Sequence, residues 1–290
     1  MSRCYLGALI LLALALFAAR PADAAESYDN CNNTISSLPA VIATQGTWCF
    51  KGDLATAITS GSAITVNTNN VTIDCNNFKL GGLAAGLGTG TNGIFANNRF
   101  NVTVRHCNIR GFYVGVFLAG AAGGGHAVED NRLDNNTRFG IFVQGDGSIV
   151  RRNRVFDTGL SSLTGNPSIY GIGTQYSVDV IDNTVSGVTA TSGAGGDVFG
   201  ITSDNNPDGQ VIGNGVRGLL KDGSGHAYGI YNSSSGRLSV RDNDVVGDGA
   251  AGSTGVLCST ANGSVRDNMI SAFGTAIDTC TDSGSNDVLP

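Results

Sequence analysis

The sequence predicts an all-β protein, a single-stranded right-handed parallel β-helix of about eight rungs with a short N-terminal cap. Three observations predict this solenoid. Two short motifs recur along most of the chain, the composition is that of short strands and turns, and no long apolar face of helical period follows residue 60.

The composition favours strands and turns over helices. The 290 residues include 43 Gly and only 5 Pro, and Asn, Asp, Ser, Thr and Val are abundant. Gly, Asn and Asp mark turns, and Val and Thr are enriched in strands. The chain therefore reads as many short strands joined by tight turns.

Two motifs define the repeat. In the first, Val-x-x-Asn-x-Val, the Asn positions are Asn131, Asn153, Asn183, Asn214, Asn243 and Asn268, and we assign Asn76 and Cys107 to the same column. In the second, a Gly stands between an aromatic or small residue and Ile or Val, at Gly93, Gly115, Gly140, Gly171, Gly200, Gly229 and Gly255, with Ala276 in the last position. Such self-similarity is the signature of a solenoid.

The spacing of the motifs separates a constant arc of each rung from a variable one. Each Gly is followed by the next Asn position after 12 to 16 residues, whereas 8 to 18 residues lead from that position to the next Gly. The longer variable arcs predict consecutive loops at 156–169, 186–198, 217–227 and 246–253. Insertions in a solenoid often border its binding face.

Stacked rungs bring equivalent residues into columns about 4.8 Å apart. We expect inward Val and Ile to form the apolar core and inward Asn side chains to satisfy the polar groups of buried turns. A further column consists of the residues before each Gly: Phe139, Tyr170, Phe199 and Tyr228. Because these rings share the parity of the Ile two positions later, we expect them in the core rather than on a sugar-stacking surface.

The cysteines predict disulfides that clamp the two ends. Apart from Cys4, the chain holds an even set, which is typical of an exported protein. Residues that are neighbours in the stack suggest the pairs Cys31–Cys49, Cys75–Cys107 and Cys258–Cys280.

The first residues predict export. Arg3 precedes a short apolar stretch, and Ala22-Asp23-Ala24 has the pattern of a signal-peptidase site. We expect a signal peptide at 1–24, an N-terminal cap at 25–52, with Ile35–Ile42 in a short capping segment, and the β-helix at 53–290. The protein is then secreted or periplasmic, with no later membrane span.

Charged residues alternate in sign in two columns: Asp74, Arg105, Glu129 and Arg151, and His106, Asp130, Arg152 and Asp182. We interpret them as a surface ion-pair ladder. The alternative is an anionic-sugar site that uses Arg105, Arg110, Arg151, Arg152 and Arg154. The formal net charge of −6 disfavours nucleic acid as a partner.

Asp197 and His226 are the candidate catalytic pair. Each lies three positions before a repeat Gly, so they should touch on adjacent rungs, and a His held by a carboxylate is a common acid–base arrangement. Asp204 is a third catalytic candidate. The substrate-binding candidates are Arg138, Gln144, Gln175 and Tyr231, whereas His126 is expected in a loop without a partner. A surface His–Asp pair without chemistry remains the alternative.

The segments Asn70-Val-Thr-Ile-Asp-Cys75-Asn and Asn101-Val-Thr-Val-Arg-His-Cys107-Asn, with the repeated Val-Arg-Asp-Asn at 240–243 and 265–268, resemble the pectate-lyase-like superfamily. The resemblance covers about residues 50–280. It implies a right-handed β-helix and a polysaccharide as partner. The catalytic motifs of polygalacturonases, pectate lyases and alginate epimerases are absent from the sequence.

Two functions follow as hypotheses. The first is an exported β-helix that binds or processes a polysaccharide, in the manner of a lyase or hydrolase. The second is a non-catalytic scaffold or adhesin of the surface or periplasm. The sequence indicates no certain cofactor; Asp-rich pieces keep calcium as a candidate.

Overall fold

The computed structural model describes residues 31–163, 165, 168–193, 195–233 and 236–290. The predicted signal peptide at 1–24 lies outside the described residues. Residues 32–290 form one compact unit of strands, and among the described residues a 3₁₀ turn occurs once, at Leu83–Ala85. All strand pairs are parallel, and on each turn the chain passes through three sheets in the same order.

Sheet 1 has 11 strands, in the spatial order β1 (Asn33–Ile35), β3 (Gly46–Phe50), β6 (Val71–Asp74), β9 (Val102–Arg105), β12 (Ala127–Glu129), β15 (Ser148–Arg151), β18 (Val178–Ile181), β21 (Gln210–Ile212), β24 (Ser239–Arg241), β27 (Ser264–Arg266) and β30 (Thr281–Asp282).

Sheet 2 has 10 strands: β4 (Leu54–Ala55), β7 (Lys79–Gly81), β10 (Asn108–Arg110), β13 (Arg132–Asp134), β16 (Arg154–Gly159), β19 (Thr184–Thr189), β22 (Gly215–Leu220), β25 (Asp244–Val246), β28 (Met269–Ser271) and β31 (Asp287–Leu289).

Sheet 3 also has 10 strands: β2 (Ala40–Ile42), β5 (Ser62–Val66), β8 (Asn92–Asn97), β11 (Val114–Ala119), β14 (Phe139–Gln144), β17 (Ile169–Gln175), β20 (Val198–Asp204), β23 (Ala227–Asn232), β26 (Ser253–Cys258) and β29 (Thr275–Asp278).

The chain is a parallel β-solenoid of about nine turns, close to the eight rungs predicted. The additional strands lie near the N-terminus, where β1, β2 and β3 already belong to the stacked sheets. The segment Ile35–Ile42, expected as a cap, thus contributes residues to sheets 1 and 3. The predicted loops are also shorter than their sequence ranges, because β16, β19 and β22 extend through 159, 189 and 220.

The Gly column of the repeat is in register. β14, β17, β20 and β23 pair so that Phe139, Tyr170, Phe199 and Tyr228 align, which places each following Gly directly above the last. A side chain has no room there. A Cβ on Gly200 would lie 2.6 Å from the carbonyl oxygen of Gly229 and 2.3 Å from a methyl of Val216.

The Asn column forms a continuous ladder at the corner between sheets 1 and 2. The Oδ1 atom of Asn183 accepts from the backbone N–H of Asn153 at 2.9 Å and from its side-chain amide at 3.0 Å. The Asn153 amide also donates to the carbonyl of Val128 at 2.8 Å. The same pattern recurs through Asn131, Asn153, Asn183, Asn214, Asn243, Asn268 and Asn286.

This ladder satisfies buried turn groups that would otherwise lack partners. The residue before each Asn adopts a left-handed conformation, for example Asp130, Asp182 and Asp242, which permits the sharp corner. The register of sheet 1 aligns Asn76 with Cys107, as assigned, because Asp74 pairs with Arg105. The Asn76 amide does not join the ladder, however, and donates to the carbonyl of Phe50, while Cys75 forms the disulfide with Cys107.

The disulfides join adjacent turns. Cys75 is bonded to Cys107 with Cα atoms 4.7 Å apart, and Cys258 to Cys280 with Cα atoms 5.0 Å apart, the pairs that the repeat suggests. Cys31 and Cys49 are disulfide-bonded as well.

His126 lies in the connection just before β12, as predicted from its Gly-rich surroundings, but the expectation that it has no partner is wrong. Its side chain is buried at 1% exposure, and Nδ1 accepts a hydrogen bond from the backbone N–H of Val102 at 3.2 Å. Its own N–H donates to the hydroxyl of Ser148 at 3.0 Å. Burial lowers the pKa of His126 to about 4, because the charged imidazolium would be poorly solvated there.

We expect Gly200→Ala to lower the free energy of unfolding by about 1–3 kcal/mol, since its methyl group meets Val216 and the next rung. Gly215→Ala is the matched control, because a Cβ there has no atom within 4 Å. Urea denaturation of both variants measures the difference. Equal losses would contradict the close packing of the Gly column.

We expect His126 to make stability depend on pH. Its folded pKa of about 4 lies below the ordinary 6.5, so the unfolded chain takes up the proton first as pH falls. The stabilisation is complete above pH 6.5 and about 3 kcal/mol of it is lost by pH 4. His126→Asn keeps an acceptor for Val102 but does not titrate. Its unfolding free energy should fall less between pH 7 and 4 than that of the wild type, and parallel pH curves would refute this role.

Candidate functional site

The aromatic column before the repeat Gly residues lies on the outer face of sheet 3, not in the core as the sequence suggested. Gly140 faces inward, since its Cβ would lie 2.4 Å from Val155, and the next residue, Ile141, is also buried. Two successive inward positions break the alternation of the strand. The residue before the Gly therefore points outward, and the Phe139 ring contacts the outward Phe142 at 5.1 Å.

The rings of this column form a continuous stack. Centroid distances are 4.3 Å from Phe139 to Tyr170, 4.8 Å from Tyr170 to Phe199 and 5.0 Å from Phe199 to Tyr228. The interplanar angles of 3°, 8° and 21° show near-parallel faces. The spacing follows from the rung repeat, which places one ring on each turn.

Arg138 closes the N-terminal end of the stack. Its guanidinium lies 5.3 Å from the ring centre of Phe139 and 5.5 Å from that of Tyr113, and it donates to the Tyr113 hydroxyl at 2.7 Å. These contacts hold the cation against the aromatic surface.

Asp197 and His226 meet as the sequence predicted for adjacent rungs. They directly precede the paired strands β20 and β23. The Asp197 carboxylate accepts from the backbone N–H of His226 at 2.7 Å and lies 3.3 Å from its Nδ1. Both side chains are partly exposed, 34% for Asp197 and 54% for His226. An imidazole oriented through Nδ1 presents Nε2 on its opposite edge, an arrangement able to transfer protons.

Asp204 does not join that pair. It ends β20, whereas Asp197 precedes the same seven-residue strand. Asp204 accepts from the Thr202 hydroxyl at 3.1 Å and from the Ser233 hydroxyl. Gln144 and Gln175 precede it in the same column and are hydrogen-bonded to each other. These residues form a polar strip along one side of the aromatic stack.

Charged groups on both sides of the aromatic stack affect the pKa of Tyr170. Burial raises the pKa of its phenol; the positive charge of Arg138 opposes this rise, and the carboxylates of Asp204 and Asp197 add to it. The Tyr170 hydroxyl thus lies within electrostatic reach of both Asp197 and the polar strip. Tyr231, the remaining substrate-binding candidate, packs against Phe199 and Tyr228 with centroids 5.5 Å apart in each case.

A cleft of about 500 Å³ opens where the stack ends at Tyr228. The sequence did not predict this cleft, because it forms where the residues of the next rung are smaller than those that precede them in the same columns. Gly252, Thr254 and Leu257 follow His226, Tyr228 and Tyr231 in the same three columns. Its lining comprises His226, Tyr228, Ala251, Gly252, Ser253, Thr254, Leu257, Gly274, Thr275 and Asp278.

The cleft carries negative charge. Burial raises the pKa of the Tyr228 phenol, and the charges of Asp197, Tyr231 and Asp278 raise it further. Neither Lys nor Arg is among the described residues that line the cleft. Its volume lies within the range of about 300–1,000 Å³ typical of small-molecule sites.

The charged columns form the ion-pair ladder that the sequence favoured. Arg105 binds Asp74 at 2.8 Å, and Arg151 binds Glu129 at 2.6 Å. The remaining arginines of the proposed anionic-sugar site are also engaged: Arg152 with Asp130, Arg110 with Asp134, and Arg154 over the Phe156 ring. The hydrogen bond from Arg152 lowers the pKa of Asp130. These residues belong to sheets 1 and 2 and their shared corner, away from the sheet 3 surface.

Within the described part of the chain, no group of three or more His, Cys, Asp or Glu side chains is arranged to hold a metal ion. The described residues also contain no helix with the length and hydropathy needed to cross a membrane.

No protein-family model matches the sequence, and no curated protein matches it significantly. Similar solved structures include DFA-IIIase from Arthrobacter chlorophenolicus A6 in complex with GF2, with a TM-score of 0.50 at 14% identity, over 82% of this chain and 63% of that chain. This chain therefore spans less than two thirds of that protein.

Two further similar structures cover more of their own chains. The A-module of the Azotobacter vinelandii mannuronan C-5 epimerase AlgE4 has a TM-score of 0.48 at 12% identity, over 90% of this chain and 87% of that one. An alginate lyase from Paenibacillus has a TM-score of 0.44 at 11% identity, over 89% and 97%. At these identities the similarity concerns the fold alone. The chain has the right-handed parallel β-helix fold expected from its resemblance to the pectate-lyase-like superfamily.

Proposed function

We propose that the chain is an exported protein that binds a polysaccharide along the outer face of sheet 3 and acts on it through Asp197 and His226. The observation that carries the proposal is the outward aromatic stack, which ends at an open cleft beside this His–Asp pair.

The surface has the two components that carbohydrate recognition requires. Aromatic rings offer apolar area to the C–H faces of a sugar, and neighbouring polar groups bind its hydroxyls. Here the stack supplies the apolar part. Gln144, Gln175 and Asp204 supply acceptors and donors on one side, and Asp197 and His226 supply them on the other.

The chemistry assigned to the pair is proton transfer. His226 would donate or accept a proton at the reacting bond through Nε2, while Asp197 orients the ring through Nδ1. Because Asp204 lies at the other end of β20, we assign it to hydroxyl binding rather than to the same proton transfer.

Two further points support this function. Disulfides in the structure are typical of proteins outside the reducing cytosol. The β-helix fold is shared with proteins named for action on carbohydrates, including DFA-IIIase. The alternative, a non-catalytic scaffold that binds the same polymer, is favoured by the exposure of the His–Asp pair.

We expect Tyr228→Ala to weaken polysaccharide binding roughly 10–30-fold, as removal of a central aromatic contact usually does. Phe156→Ala is the control, because Phe156 lies on sheet 2, where the guanidinium groups of Arg132 and Arg154 lie over its ring. A panel of neutral and acidic polysaccharides in affinity electrophoresis measures both variants. No binding of the wild type to any polymer would overturn the proposal.

The same panel, assayed for reducing ends and for unsaturated-product absorbance with and without calcium, tests the chemistry. We expect His226→Ala to lower turnover about 10²–10⁴-fold without loss of folding. Asp197→Asn, which keeps an acceptor for the His226 N–H, should lower it as well. Binding without turnover of any polymer would identify the scaffold instead.

A further inference from the structure

We propose that the cleft beyond Tyr228 is a subsite for one uncharged sugar ring, stacked on the free face of Tyr228, and that its carboxylates exclude uronic acids. The proposal rests on the proposed function and names the class of sugar that the site accepts.

Beyond Tyr228 the aromatic stack leaves a space of the size of one further ring. Each turn from β14 to β23 contributes one ring, 4.3–5.0 Å from the last. In the next two turns the same column holds Thr254 and Thr275, which do not fill that space. The outer face of Tyr228 is therefore part of the cleft wall. A sugar ring placed there continues the stack with its apolar C–H face.

The side walls of the cleft fit a ring of this kind. The imidazole of His226 lies 5.9 Å from the Tyr228 ring at an angle of 20°, so the two rings form a broad platform. Gly252 keeps the space above His226 open, since even a Cβ there would lie 3.5 Å from the imidazole. Leu257 lines the opposite side.

The charge of the cleft selects among sugars. Asp278 lines the cleft, and the carboxylate of Asp197 lies 3.3 Å from Nδ1 of His226, another lining residue. Carboxylates accept hydrogen bonds from sugar hydroxyls but repel the carboxylate of a uronic acid. Neither Lys nor Arg offsets this repulsion among the described lining residues. Arg138 lies at the other end of the stack, three rungs or about 14 Å away.

The positive charges of the ladder on sheets 1 and 2 do not compensate the carboxylates of the cleft. Each arginine of the ladder on sheets 1 and 2 already has an acidic or aromatic partner. Asp278 is exposed at the cleft, in the column that follows Tyr231 and Leu257.

The experiment uses the full-length protein and matched oligosaccharide pairs that differ only at C6: galactan with galacturonan, mannan with mannuronan, and glucan with glucuronan. Isothermal titration calorimetry at low salt measures each affinity. We expect a neutral member to bind at least tenfold more tightly than its uronate partner. Asp278→Asn should reduce this ratio severalfold by strengthening uronate binding. Asp287→Asn, which makes the same charge change on sheet 2, should leave the ratio unchanged.

The outcomes separate the two proposals. Uronates that bind as tightly as their neutral partners, or a ratio unaffected by Asp278→Asn, would overturn the selectivity while leaving carbohydrate binding intact. If no oligosaccharide binds the wild type, the proposed function fails and the subsite fails with it.

Discussion

The structure depends on the vertical register of successive turns, and two buried columns enforce it. The Asn ladder links each turn to the next, because each buried side-chain amide donates both to the next Asn and to backbone carbonyls at the corner. The Gly column lets neighbouring strands approach where a methyl group would collide. A shift of one residue would break both columns at once, and would leave buried amides unsatisfied. Residues far apart in sequence therefore become fixed neighbours.

The functional surface is a consequence of that register. The successive inward residues Gly140 and Ile141 turn Phe139 outward, and the same break in alternation on later turns builds a stack of rings on sheet 3. The cleft arises where the stack is interrupted by a change from large to small side chains, without any change in the backbone pairing. Strands supply several residues of its walls, and His226, Gly252 and Gly274 are supplied by the connections that precede β23, β26 and β29.

The sequence predicted the features that depend on counting positions. The Gly column, the Asn ladder, the cystine pairs of adjacent turns and the contact between Asp197 and His226 all follow from equal positions in the repeat. Predictions from position in the repeat were wrong where they assumed that side chains alternate regularly between the inner and outer face of a strand. The two successive inward residues reverse the direction of Phe139 and its equivalents, and Asn76 keeps its predicted position but donates to Phe50 instead of joining the ladder.

Two other features were beyond the sequence for different reasons. His126 lies in a Gly-rich segment that looks like an exposed loop, but that segment bridges neighbouring turns and buries the ring. The cleft forms because the side chains in three neighbouring columns become smaller on the same rung. No single residue type in the sequence indicates such a change. Its recognition required the register of Gly252, Thr254 and Leu257 against the preceding strand.

The most direct test of this account is the substitution Thr254→Tyr, which places an aromatic residue before a repeat Gly, as on the four preceding turns. The account predicts that the new ring continues the stack, that the melting temperature is unchanged or higher, and that carbohydrate affinity falls at least tenfold because the cleft is filled. Thr103→Tyr on sheet 1 should leave affinity unchanged. A Thr254→Tyr protein that folds with its ring on Tyr228 and still binds carbohydrate with wild-type affinity would contradict the account.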